Sequence, residues 1–129
     1  MDGYECVKLQ RATGHLSFHV SQKRVLRMYQ SGSAKLMLPN TYSDMMEAVI
    51  LNTSGGMTDG DTLSFDVKVE DCALAMTTQT AERVYRSSGS KPAKVKINLS
   101  VSDKADLHCL PQETIIFNNS KFDRTLTIN

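Results

Sequence analysis

Four stretches of this chain alternate apolar and polar side chains with a period of two, and that pattern limits the fold more than any other feature. Leu63, Phe65, Val67 and Val69 alternate with Ser64, Asp66, Lys68 and Glu70. Leu16, Phe18 and Val20 do the same against His15, Ser17 and His19, and Val95, Ile97, Leu99 and Val101 against Lys94, Lys96, Asn98 and Ser100. Near the C-terminus Phe122, Arg124, Leu126 and Ile128 alternate with Asp123, Thr125 and Thr127. Successive side chains of a strand point to opposite faces, so this period means one dry face and one wet face. No segment of ten or more residues repeats apolar side chains at i, i+3, i+4 and i+7, the signature of an amphipathic helix. An all-β fold of about ten to twelve short strands follows.

The connections between these runs are polar or glycine-bearing. Ser21-Gln22-Lys23 separates Gly14–Val20 from Arg24–Gln30, and the pair reads as a hairpin. Ser31-Gly32-Ser33 and Pro39-Asn40 bound the run Ala34–Leu38. Asp59-Gly60 lies between the apolar run Ala48–Leu51 and the strand Thr62–Glu70, and it too reads as a hairpin turn, because Asp and Gly tolerate positive φ. The adjacent Ser54-Gly55-Gly56-Met57-Thr58 is first a structural turn, with a contact loop or a backbone cup for an anion as the other reading. It lacks the Lys-Ser/Thr of a phosphate-binding loop and opens a strand where such a loop opens a helix. Gln79–Arg86 is ambiguous between a helical turn and a strand.

With 129 residues, the chain is expected to be one domain over positions 1–129. A net charge of +1 and the absence of Trp argue against nucleic acid as a partner. The apolar runs fall far short of the ~20 residues that span a membrane, and the N-terminus carries no secretory signal pattern. Three widely spaced cysteines, Cys6, Cys72 and Cys109, point to reduced thiols in a cytoplasmic setting.

No catalytic constellation can be assembled. His15 and His19 share a strand face and could share a metal only with further ligands. His108 and Cys109 point to opposite faces if extended, which breaks a ligand pair or dyad. Asp59, Asp61, Asp66 and Glu70 do not follow EF-hand spacing. What remains are polar blocks of contact-surface composition. Thr77–Arg86 offers Gln79, Glu82, Tyr85 and Arg86, and Leu110–Thr114 offers Gln112 and Glu113.

At these blocks the sequence resembles the urease accessory protein UreD family, called UreH in some organisms. Met28-Tyr29-Gln30-Ser31-Gly32 is similar to its Leu-Tyr-Gln-x-Gly segment, and Asn52–Asp61 to its Gly-Gly-x-x-x-Gly-Asp loop, with Asp59 where the family more often has Gly. Thr77-Thr78-Gln79 with Glu82–Arg86, and Leu110–Asn118 with its Leu-Pro-Gln-Glu-Thr core, resemble two further family blocks. The resemblance covers the N-terminal half of proteins about twice as long, so the chain reads as truncated. It implies short strands wound in a β-helix-like arrangement. It also implies a non-enzymatic cytoplasmic scaffold that binds urease apoprotein and UreF, with the GTPase UreG joining through UreF. Nickel would pass through the complex with no cofactor held permanently. Gln79, Glu82, Tyr85, Arg86, Gln112 and Glu113 would then bind partners or line an interior polar path. The competing readings are a β-fold enzyme acting on a small molecule or carbohydrate, and a purely structural β-module.

Overall fold

A computed structural model describes residues 11–41, 43–79 and 81–129. Among them lie eleven strands and no helix: β1 (Thr13–Ser21), β2 (Arg24–Gly32), β3 (Ala34–Met37), β4 (Met46–Asn52), β5 (Thr62–Glu70), β6 (Ala73–Gln79), β7 (Glu82–Val84), β8 (Ala93–Val101), β9 (Asp106–Leu110), β10 (Thr114–Ile116) and β11 (Phe122–Ile128). They form three sheets, ordered β11-β8-β5-β1-β2, β3-β4-β6-β9 and β10-β7. From β5 onward the chain visits the three sheets in rotation. Each strand lies parallel to its counterpart one circuit away: Thr62 pairs with Lys94, Ala73 with Asp106 and Glu82 with Thr114. The result is a three-sided β-solenoid with roughly thirty residues per coil, inside the range of such repeats.

The first coil departs from this rule by insertion. β1 turns back into β2 as an antiparallel hairpin through Gln22 and Lys23, both at positive φ (50° and 64°). Two consecutive left-handed residues are what a tight primed turn requires, so the expected hairpin is present. β3 then pairs antiparallel with β4, and an isolated parallel bridge from Met57 to Val84 marks the third side of this coil.

The second expected hairpin is not there. β4 pairs with β3 and β6, whereas β5 pairs with β1 and β8, so Asp59-Gly60 turns the corner between two sheets. The sequence pattern misleads here for a definable reason. Parallel strands are usually buried on both faces and read as continuous apolar runs, but a solenoid strand has one face inside and one in water. Its alternation is therefore that of an antiparallel sheet.

Inward side chains stack in columns along the solenoid axis. Leu16, Phe65, Ile97 and Leu126 form one column, and Phe18, Val67, Leu99 and Ile128 another. They pack against Leu36, Ala48, Ile50, Leu74 and Met76 of the second sheet. Along the second column exposure runs 1%, 2%, 3% and then 64%. The last coil is thus uncovered: Ile116, Leu126 and Ile128 carry inward-type side chains with no further coil above them among the described residues. Exposed apolar area costs about 25 cal/mol per Å², and open strand edges invite pairing with another chain. The 129-residue chain is therefore expected to self-associate, and Leu126→Lys with Ile128→Lys to reduce that association. Light scattering over a concentration series checks this. A sharp, concentration-independent thermal transition of the unsubstituted chain would contradict it.

Candidate functional site

The solenoid encloses a cavity of about 220 Å³. Leu63, Phe65, Val95 and Ile97 of the first sheet wall it on one side, and Ile50 and Met76 of the second on the other. Its third wall and mouth are polar. Asn52, Gln79 and Gln112 line it from the second-to-third-sheet corners of three successive coils. The register that pairs Leu51 with Gln79 and Thr77 with Leu110 brings these corners alongside one another.

Further polar groups come from the third sheet, where Glu82 and Arg83 of β7 and Thr114 of β10 line the cavity. Val84 is fully buried, so Glu82, two residues earlier on β7, points to the same side, and Thr114 is its direct partner on β10. Facing them from the first sheet is Arg124, at an inward position of β11 opposite Val95. Its Nη2 donates to Glu82 Oε1 at 2.5 Å and to Thr114 Oγ1 at 2.9 Å, and the guanidinium lies 5.0 Å from the Phe122 ring centre. Cys109 also lines the cavity, and burial pushes its thiol pKa up, which keeps it protonated at neutral pH. His108, its neighbour, lies on the other face of β9, as extended geometry requires.

The sequence-derived candidates therefore separate into two groups. Gln79, Glu82 and Gln112 line the cavity; Tyr85, Arg86 and Glu113 do not. Tyr85 lies outside, its ring against Gly56, where a Cβ would come within 2.2 Å of Cε2, and 5.2 Å from the Phe117 ring. Arg86 is exposed while its carbonyl accepts from Thr58 Oγ1. Glu113 is exposed and its carbonyl accepts the Glu82 N–H. Sequence reasoning did not single out Arg124, although an arginine in the apolar register of Phe122, Leu126 and Ile128 was the available signal.

Among the described residues no group of three or more His, Cys, Asp or Glu side chains could hold a metal. His15 and His19 each meet their own carboxylate on β5, at 3.9 Å from Asp66 and 3.1 Å from Glu70. Asp66 also accepts from Asn98 at 2.8 Å. The Glu70 carboxyl is held below its ordinary 4.5, first by its hydrogen bond from Lys68 and further by His19, against the desolvation that raises it. A carboxyl lowered in the folded state stabilises above its unfolded pKa, and loses that contribution as pH falls through the folded value. The difference in thermal midpoint between the native chain and Glu70→Gln is accordingly expected at neutral pH and to vanish well below pH 4.5. A difference that persists in acid would refute the assignment.

The class of protein is thus a three-sided β-solenoid domain with a polar-mouthed interior. The model of the family described as UreD urease accessory protein matches residues 10–129, and the chain belongs to that family. It is 43% identical over 118 residues to urease accessory protein UreD 1 of Brucella anthropi, covering 89% of this chain and 41% of that protein. Urease accessory protein UreD of a Brucella suis strain is 44% identical over 125 residues, covering 93% and 44%. That of Mesorhizobium japonicum is 44% identical over 106 residues, covering 81% and 38%. The chain spans less than half the length of these curated relatives. Three of the four family-like blocks, Asn52–Asp61, Thr77–Arg86 and Leu110–Asn118, occupy the same corner and third side of three successive coils. No helix among the described residues is long and apolar enough to cross a membrane.

Proposed function

We propose that this chain serves urease maturation as part of a non-enzymatic cytoplasmic scaffold. It binds urease apoprotein and UreF, and UreG joins through UreF. Nickel is a cargo of the complex, and no cofactor is held permanently. The family match over residues 10–129 carries this reading. The stacking of three family-like blocks along one side of the solenoid supports that side as the contact side. There Tyr85 and Arg86 have the chemistry of interface anchors, a ring and a guanidinium exposed on a rigid strand end. Gln79, Glu82 and Gln112 offer the oxygen ligands of an interior polar path, with Glu113 at its outer corner.

The test is co-purification of the tagged chain with UreF and with urease apoprotein. Capture of at least one is expected, and Tyr85→Ala with Arg86→Ala should weaken it about tenfold, a usual effect for two interface anchors. A folded chain that captures neither would overturn the reading.

A further inference from the structure

The outer face of the third side carries an apolar group that the cavity does not use. Val84 is fully buried, so its neighbours Arg83 and Tyr85 stand in the outward register, and both are exposed. On the adjacent strand Ile115 is the direct partner of Arg83, and Phe117 follows two residues later on the same face. Tyr85, Ile115 and Phe117 are exposed, which places two aromatic rings and a branched aliphatic side chain together in water. The two ring centres lie 5.2 Å apart, and the Tyr85 ring rests on Gly56, where a Cβ would come within 2.2 Å of Cε2. A ring braced between a glycine and a second ring has little side-chain freedom left to lose on binding. Exposed apolar side chains grouped in this way mark contact sites.

Two guanidiniums border the group. Arg83, at the cavity mouth, and Arg86 make no ion pair among the described residues. Acids of the adjoining segments are engaged elsewhere: Glu82 with Arg124, and Asp59 with Arg11. Glu113, one position before β10 and in the same register as Ile115, sets one exposed carboxylate against two guanidiniums. Tyr and Arg beside further aromatic area is the composition of an interface centre, and the surplus positive charge fixes the sign of what it meets.

We infer that Tyr85, Ile115 and Phe117, with Arg83 and Arg86 at their border, form a docking patch for an acidic surface of a partner protein, and that Gly56 is the cradle holding its aromatic anchor in place. This deepens the proposed function and rests on its reading of the third side as the contact side.

Biolayer interferometry of the 129-residue chain against immobilised UreF and urease apoprotein, at about 50 and about 300 mM salt, tests it. Association is expected to slow several-fold at the higher salt, which screens rim charges. Arg83→Glu with Arg86→Glu should slow it about tenfold at low salt and remove the salt dependence. Phe117→Ala should speed dissociation about tenfold and leave the salt dependence intact. Gly56→Ala should act like Phe117→Ala while keeping a native thermal midpoint, because the added methyl meets the exposed Tyr85 ring and not backbone. A second arm uses fluorescein-labelled peptides of alternating Phe and Asp, and of alternating Phe and Lys. Anisotropy is expected to favour the acidic peptide about tenfold, and Arg83→Glu with Arg86→Glu to reverse that preference. Equal binding of the two peptides overturns the inference, as does capture of a partner with native rates by the arginine and Phe117 variants. Failed capture of both partners with the acidic preference intact removes the maturation role and leaves the patch. Native capture by every variant removes the patch and leaves the role.

Discussion

Gly32→Ala is expected to unfold most of the chain under conditions that keep the native chain folded. Gly32 ends β2 at a φ of +61°, and a Cβ built there would sit 1.6 Å from the Thr13 carbonyl oxygen and 2.8 Å from its carbon. Those are backbone atoms of the strand that starts the first coil, and the same oxygen accepts the Ser33 N–H at 3.2 Å. Nothing flexible can yield, so β1 and β2 must separate where Gly14 faces Gly32. Backbone strain combined with such an overlap costs about 4 kcal/mol or more, a large share of a typical total stability of about 5–15 kcal/mol. Gly55→Ala is the control that separates the two effects. Gly55 has a φ of +85° but open space around it, so only the conformational cost of about 1 kcal/mol applies. Circular-dichroism melting of both variants decides the matter, and a native midpoint for Gly32→Ala would mean that the β2–β3 corner is built differently.

The second large effect is expected at Asp61. This side chain is 6% exposed, yet both its oxygens are used: Oδ1 accepts the Ala12 N–H at 2.9 Å and Oδ2 the Thr58 N–H at 3.0 Å. Its carbonyl accepts the Lys94 N–H at 2.8 Å, so one residue ties the entry to β1, the corner before β5 and the start of β8. Asp61→Ala strands two donors at about 1–3 kcal/mol each, a loss of about 2–6 kcal/mol. Asp61→Asn keeps one acceptor oxygen and should lose about half as much. Denaturant titration measures both, and equal losses would show that charge, not hydrogen bonding, is what the site needs. Asp59 is a second clamp of the same kind, 6% exposed and 3.4 Å from Arg11, and its Oδ1 accepts from the Ser88 N–H at 3.4 Å. The family-like block Asn52–Asp61 thus contains a buried structural centre, whatever its exposed tip contacts.

These carboxylates show where a reading of the sequence stops. Asp59 and Asp61 were visible as acids beside a glycine, but their partners lie up to 49 positions away. Arg124 was visible in an apolar register, yet its acceptor on Glu82 is 42 positions distant. Gln79, Glu82 and Gln112 could not be separated from Tyr85, Arg86 and Glu113 while Gln79–Arg86 remained ambiguous between a helical turn and a strand. The side to which each residue turns depends on the strand phase that the buried Val84 sets. Family membership, in contrast, was legible from four short blocks, because they are local strings.

The sequence by itself determined the long alternating strands, since alternation is a property of adjacent residues. β5 and β11 fall on the expected runs, and β1 and β8 extend theirs by a residue or two. It also determined the β1–β2 turn, where the chain returns at once on itself. Only the tertiary structure decided which strand lies beside which. One wet face and one dry face satisfy a hairpin and a solenoid coil equally well. The choice between them rests on contacts between coils about thirty residues apart, which no short window of sequence contains.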